Sequence, residues 1–301
     1  MAKRTWIGGG DNNANTASQW SPDGVPQPGD TLDIQTGIMN IRGNNFAGDG
    51  LTLDQTPAGA APPTLNLSHH ADVLLDIPSF TSGSAVVNVQ GSDTLNVFSD
   101  IPSSPELTVN LADHASLAGS LKMEFGALTL RGGADSRYVN NGSDLLQGTR
   151  VILDTSVRGK GAFQVESAQS SAGRLEFGGF VSSGQDVEVT GDPYRSVVSH
   201  VQIDHPDAFR GSVGLGISGE VDLMGLTNAD SFQLKNDILS IYSCGEVIDT
   251  LRLTLPPPGP YTPDDPVTVR QTSIGVAVNR GLFQDFANSN ATLLPEHQPQ
   301  G

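Results

Sequence analysis

The sequence predicts an all-β fold, a single-stranded parallel β-helix wound in coils of about 22 residues and right-handed in sense. Three observations lead there. Short stretches along most of the chain alternate apolar and polar side chains, the period of a half-buried strand. Three of them align without gaps at a spacing of 22 residues: Thr64-Leu65-Asn66-Leu67, Val86-Val87-Asn88-Val89 and Thr108-Val109-Asn110-Leu111. Gly (35 of 301 residues) and Pro (19) punctuate the intervals, and no segment carries an apolar stripe of helical period and length.

The repeat selects among all-β architectures. A sandwich or jelly roll also supplies many short strands. It gives no reason for Asn66, Asn88 and Asn110 to fall in register. In a β-helix, equivalent positions of successive coils stack about 4.8 Å apart. Leu65, Val87 and Val109 then form an inward aliphatic ladder, and the three Asn an amide ladder. A second strand follows each polar turn, around Val73, Leu95 and Leu117, again in the 22-residue register.

The chain divides in order. Residues 1–50 form an N-terminal cap holding both tryptophans, Trp6 and Trp20, around the loop Gly8 to Asn13. Residues 51–254 are the β-helix. Its later strands begin at Arg150, Ala162, Arg174, Asp186, His200, Ser212, Glu220, Ser231 and Asp237. Residues 255–266, with Pro256-Pro257-Pro258, are a loop, since Pro cannot donate to a ladder. Residues 267–301 hold last strands at Val267–Val269 and Ile274–Val278 and a disordered tail from Asn288.

Charge narrows the partners. Asp and Glu number 33 against 16 Lys and Arg, a formal charge of −17. A nucleic-acid binder needs a basic stripe to release phosphate counterions, so none is expected. No apolar run reaches the roughly 18 residues that cross a membrane, so no insertion is expected. The single Cys244 excludes an internal disulfide and reads as a small turn or core residue. The opening Met-Ala-Lys-Arg-Thr-Trp has positive charge but no apolar core, unlike a secretory signal peptide.

The first thirty residues carry a resemblance. Trp6-x-Gly8-Gly9, then Trp20, then Gly24-x-Pro26-x-x-Gly29-Asp30 before the strand Thr31–Ile34, is similar to the opening coil of autotransporter-passenger-like bacterial β-helix proteins. The run from Phe209-Arg210-Gly211 to Asp237-Ile238-Leu239 also resembles a segment of large secreted bacterial proteins. In contrast to that family, no signal peptide and no C-terminal barrel are expected from these residues. The resemblance implies an extracellular or cell-surface module and carries over no catalytic residue.

No catalytic, cofactor-binding or metal-binding residues are assigned. Asp264-Asp265 is the only adjacent Asp pair, and solvation of the Pro-rich loop accounts for it. Ile203-Asp204-His205 resembles a pectate-lyase triplet but lacks the accompanying Arg motif. His200, Asp204, His205 and Asp207 are the densest His/Asp group; His200 and Asp204 share a strand face and His205 does not. His69, His70, Asp72, Asp113 and His114 read as turn residues, with His114 stacking on Ser92 and His70. The loop Gly8 to Asn13 is a single polar loop, without the tandem nonapeptide of calcium-binding β-rolls, and Ca²⁺ there would need six or more oxygens. The expected function is a secreted or surface structural and adhesive module, binding a polysaccharide, a protein surface or itself. A polysaccharide-degrading enzyme of tail-spike type and a filament subunit are the alternatives.

Overall fold

A computed structural model describes residues 2–27, 30–43, 51–53, 61–77, 84–99, 106–255, 267–281 and 292–293. It is a parallel β-solenoid of about seven turns with coils near 23 residues, 60% strand and 3% helix. Two sheets run along the stack. One contains the strands Ile38–Arg42, Thr64–Ser68, Ser84–Val89, Glu106–Leu111, Ala127–Gly132, Arg150–Asp154, Arg174–Phe177, Ser199–Ile203 and Gly219–Met224, each parallel to the next. The other begins with Lys3–Trp6 beside Thr31–Ile34 and runs to Ser212–Leu215. Between Ser116 and Glu166 its coils bend into two short strands, such as Ser116–Ala118 and Leu121–Glu124, and in the next two coils the first of the pair shrinks to bridges at Val181 and Phe209.

The ladder is as the repeat predicts. Leu65 pairs with Val87 and Val87 with Val109, and all three are buried. Met39 precedes them, and Leu130, Leu153, Phe177, Ile203 and Leu223 continue the column. The amide ladder also forms, donor to acceptor along the axis. Asn110 donates to Asn88 at 3.0 Å, Asn88 to Asn66 at 2.8 Å, and Asn66 to Asn40 at 2.8 Å. Asn40 then donates to the Asp11 carbonyl, so the ladder ends on the N-terminal loop. Aromatics take over the middle of the core, with Phe163 edge-on to Phe177 at 5.5 Å and Phe177 against Phe209 at 5.7 Å.

Three expectations change. Leu117 pairs with Asp93, two residues before Leu95, because the turn Ala112–Ala115 loops out within its own backbone bond (Ala115 N–H to Ala112 O, 3.0 Å). The same shift puts Ser116 opposite Ser92, so His114 does not stack there; its imidazole lies 3.6 Å from Asp135. His70 does reach the Ser92 carbonyl, at 3.0 Å. Finally, the strands near Ser231 and Asp237 are not coils. Ser231–Lys235, Ile238–Ser243 and Glu246–Thr254 form an antiparallel meander that joins the stack through Glu246–Thr254. Asn236 and Asp237, both left-handed, make its first turn, so the second strand starts at Ile238.

The N-terminal end is closed by local chemistry. Trp6 and Trp20 pack edge to face at 5.2 Å, and Trp20 donates its indole N–H to the Ala14 carbonyl. Lys3–Trp6 pairs antiparallel with Trp20–Ser21. Backbone bonds between Asn12, Ala14 and Asn40 occupy the outer edge of Ile38–Arg42. Asp30 ties this together by accepting from Arg4 Nε at 2.7 Å and from the N–H groups of Ala2 and Gln27. At the other end, Gly275–Arg280 lies antiparallel on Gly219–Met224, and Val267–Gln271 on Gly275–Arg280. The last strands expected there are present, and they form an antiparallel hairpin. The Pro-rich loop from residue 256, Asp264-Asp265 and nearly all of the tail lie outside the described residues.

Candidate functional site

Register decides which side chains meet, because alternate residues of every strand face outward. On the first sheet, the outward residues of the early coils are the Asn ladder. In the later coils the same face becomes a charge mosaic. Arg150, Arg174, His200 and Glu220 form one column, and Ile152, Glu176, Gln202 and Asp222 the next.

The group His200, Asp204, His205 and Asp207 is split by this geometry. His200 and Asp204 share the outer face, as expected, with the Gln202 amide between them donating to Asp204 at 2.7 Å. His205 and Asp207 sit in the turn around the short helix Pro206–Ala208, and both are exposed. The Ile203-Asp204-His205 triplet therefore does not converge. His200 instead faces the next coil, 3.5 Å from Glu220 Oε1 and 3.8 Å from Asp222 Oδ2. Glu176 lies nearby, 3.9 Å from Arg150. Burial, helped by the charges of Asp204 and Asp154 and opposed by Arg150, pushes its carboxyl above the usual range.

The other sequence candidates are turn residues. His69 and His70 are exposed and left-handed in backbone. Asp113 accepts the Ala134 N–H at 2.8 Å, linking successive turns. Asp11 accepts from the Asn13 N–H, Thr16 Oγ1 and Gln19 Nε2, so the loop Gly8 to Asn13 is held by its own carboxylate. The Asn13 bond is the main reason the Asp11 pKa is lowered. Cys244 is exposed in the turn between Ile238–Ser243 and Glu246–Thr254.

Two clefts lie on the second sheet, and neither was visible as a motif. One, of about 480 Å³, is lined by Asp135, Ser136, Arg137, Ser156 and Arg158. Arg137 pairs in register with Ser156, and Val139 with Arg158, so the two guanidinium groups come from neighbouring coils. Each is braced: Arg137 Nε donates to Ser116 Oγ at 3.3 Å, and Arg158 lies 4.2 Å over the Phe180 ring. Both side chains remain exposed. The second cleft, of about 430 Å³, includes Gln164, Asp186, Glu188, Ser212, Gly214 and Thr254. Gly214, with no side chain, leaves the dip between Glu188 and Thr254, and Ser212 Oγ donates to Asp186.

No family model matches this chain, and no curated protein or solved structure is found to be similar to it.

Proposed function

We propose that the chain is a non-enzymatic structural and adhesive β-solenoid module, exported from or displayed on a bacterial cell, whose flank binds an acidic polysaccharide. The observation that supports this reading is the cleft between Arg137 and Arg158. In a chain of charge −17, two braced guanidinium groups share one concave surface with the half-buried Ser156. Planar guanidinium pairs carboxylate with two parallel hydrogen bonds, and hydroxyls suit the neutral positions of a sugar ring. The long rigid stack supplies a scaffold on which coil-to-coil spacing, not loop flexibility, sets the distance between contacts.

Binding to polyuronate and to neutral polysaccharide tests this. Polyuronate should bind the native protein. Arg137→Ala with Arg158→Ala should weaken that binding at least tenfold and leave the thermal midpoint unchanged. Equal binding of both polymers, or by both proteins, would mean that the cleft is not the binding site.

A second reading, a polysaccharide-cleaving enzyme, is favoured by Asp186 and Glu188. They stand two residues apart on one outward strand face and line the other cleft. Paired carboxyls are what glycosidic hydrolysis uses. Release of reducing ends or unsaturated sugars that stops with Asp186→Asn or Glu188→Gln would establish that reading in place of the first.

A further inference from the structure

The outer face of the first sheet holds a group that neither reading uses. His200, Glu220 and Asp222 each present one donor atom, and these three atoms lie within 4.8 Å of one another. Strand register puts them there. His200 is paired with Glu220 and Gln202 with Asp222, so the three alternate positions emerge side by side from two adjacent strands.

The distances fit an ion pair but are longer than a direct hydrogen bond. His200 Nδ1 is 3.5 Å from Glu220 Oε1 and 3.8 Å from Asp222 Oδ2. A charge-assisted N–H···O bond is about 2.7–2.9 Å long. Two ligands of one cation, each bonded at about 2.0–2.2 Å, stand about 3–3.5 Å apart. The spacing is thus close to that of donors around a shared ion.

A second observation points the same way. Glu220 is largely buried, its side chain 11% exposed. Its Oε2 takes both available donors, Arg270 Nη2 at 3.3 Å and Asn279 Nδ2 at 3.4 Å. Among the described residues Oε1 accepts no hydrogen bond, and it is aimed at His200. An outer pair of hydrogen bonds that fixes a carboxylate while leaving one oxygen free is how proteins orient a metal ligand. Arg270 and Asn279 belong to the strands Val267–Gln271 and Gly275–Arg280, so the closing hairpin supplies the support and the stack supplies the ligands.

We infer that His200 Nδ1, Glu220 Oε1 and Asp222 Oδ2 bind one divalent transition-metal ion. One imidazole and two carboxylates suit borderline cations such as Zn²⁺ or Co²⁺. Three protein ligands leave at least one coordination position open on the outer face, where water or a partner's carboxylate completes the shell.

Co²⁺ titration of the whole chain, first dialysed against chelator, is the test. One Co²⁺ per chain should bind, with visible d–d absorption that Zn²⁺ abolishes by displacement. His200→Ala and Asp222→Asn should each weaken binding at least tenfold, while their melting in chelator matches the native chain; the half-exposed Asp222 makes its variant the safer one for folding. Absence of binding up to millimolar Co²⁺, or undiminished binding in either variant, overturns the site.

Discussion

Tyr138 donates its hydroxyl to Asp144 at 2.8 Å in the interior of the solenoid, where both side chains are fully buried. Asp144 occupies an inward strand position whose partners in the next coils are Phe163 and Val187. Its other oxygen accepts the Leu121 N–H, also at 2.8 Å. Desolvation outweighs both bonds and raises the Asp144 carboxyl from 3.8 to about 7. The folded protein therefore binds this proton more tightly than the unfolded chain does. The contribution is fully present below about pH 4 and is lost as pH rises through about 7, on the order of 4 kcal/mol in all. Calorimetric midpoints should fall between pH 5 and pH 8. Asp144→Asn cannot ionise, so it should flatten that slope and melt higher than the native chain at pH 8. A native slope that survives in this variant would assign the effect elsewhere.

Asp30 has the opposite sign. The Arg4 guanidinium and the N–H groups of Ala2 and Gln27 hold its carboxyl down to about 2. Its contribution is present above about pH 4 and disappears as pH falls toward 2. Both tryptophans lie in the segment that it clamps, so their fluorescence reports that end alone. Acid titration should change tryptophan emission before far-ultraviolet circular dichroism shows loss of strand. Asp30→Asn should show the acid form's emission at neutral pH.

The ladder and its amide flank should respond differently. Val87 is fully buried between Leu65 and Val109. Val87→Asp places an unpaired carboxylate there and should cost about 3–5 kcal/mol. Asn88 lies half-buried outside, giving one hydrogen bond to Asn66 and taking one from Asn110. Asn88→Ala should cost about 1–2 kcal/mol. Urea midpoints would rank the two, and equal losses would mean that the amide column contributes as much as the core.

Legibility followed coil length. The steps Thr64 to Val86 to Thr108 are each 22 residues, and there the ladders could be read directly. Asn40 heads the amide ladder, but the step to Asn66 is 26 residues, which hid it. Glu176 to Gln202 is likewise 26, yet Gln202 to Asp222 is only 20. Side chains that meet across unequal coils have no common spacing, so neither the contact of His200 with Glu220 nor the Arg137 and Arg158 cleft was visible. The antiparallel meander was missed for another reason: strand alternation has the same period in parallel and antiparallel sheets. The turn residues Asn236-Asp237 and Cys244-Gly245, all left-handed, carried the missing signal.

Two glycines separate a required absence of side chain from a tolerated one. Gly119 stands at the corner between Ser116–Ala118 and Leu121–Glu124, with φ +147°. A Cβ there would lie 1.9 Å from the Leu95 carbonyl oxygen, a rigid backbone atom of the coil below. The following residue is pinned as well, since Asn96 Oδ1 accepts both the N–H and the hydroxyl of Ser120 at 3.1 Å. The corner cannot swing away without breaking those bonds. Gly119→Ala should therefore destabilise by about 3 kcal/mol or more. Gly142 is exposed, and a Cβ there meets nothing within 4 Å. Gly142→Ala removes freedom mainly from the unfolded chain and should be neutral or stabilising, by up to about 1 kcal/mol. Thermal melts of the two variants, side by side, should move in opposite directions or leave the second unmoved. A Gly119→Ala protein that melts with the native chain would show that the corner yields, and that coil stacking at this position is looser than its hydrogen bonds imply.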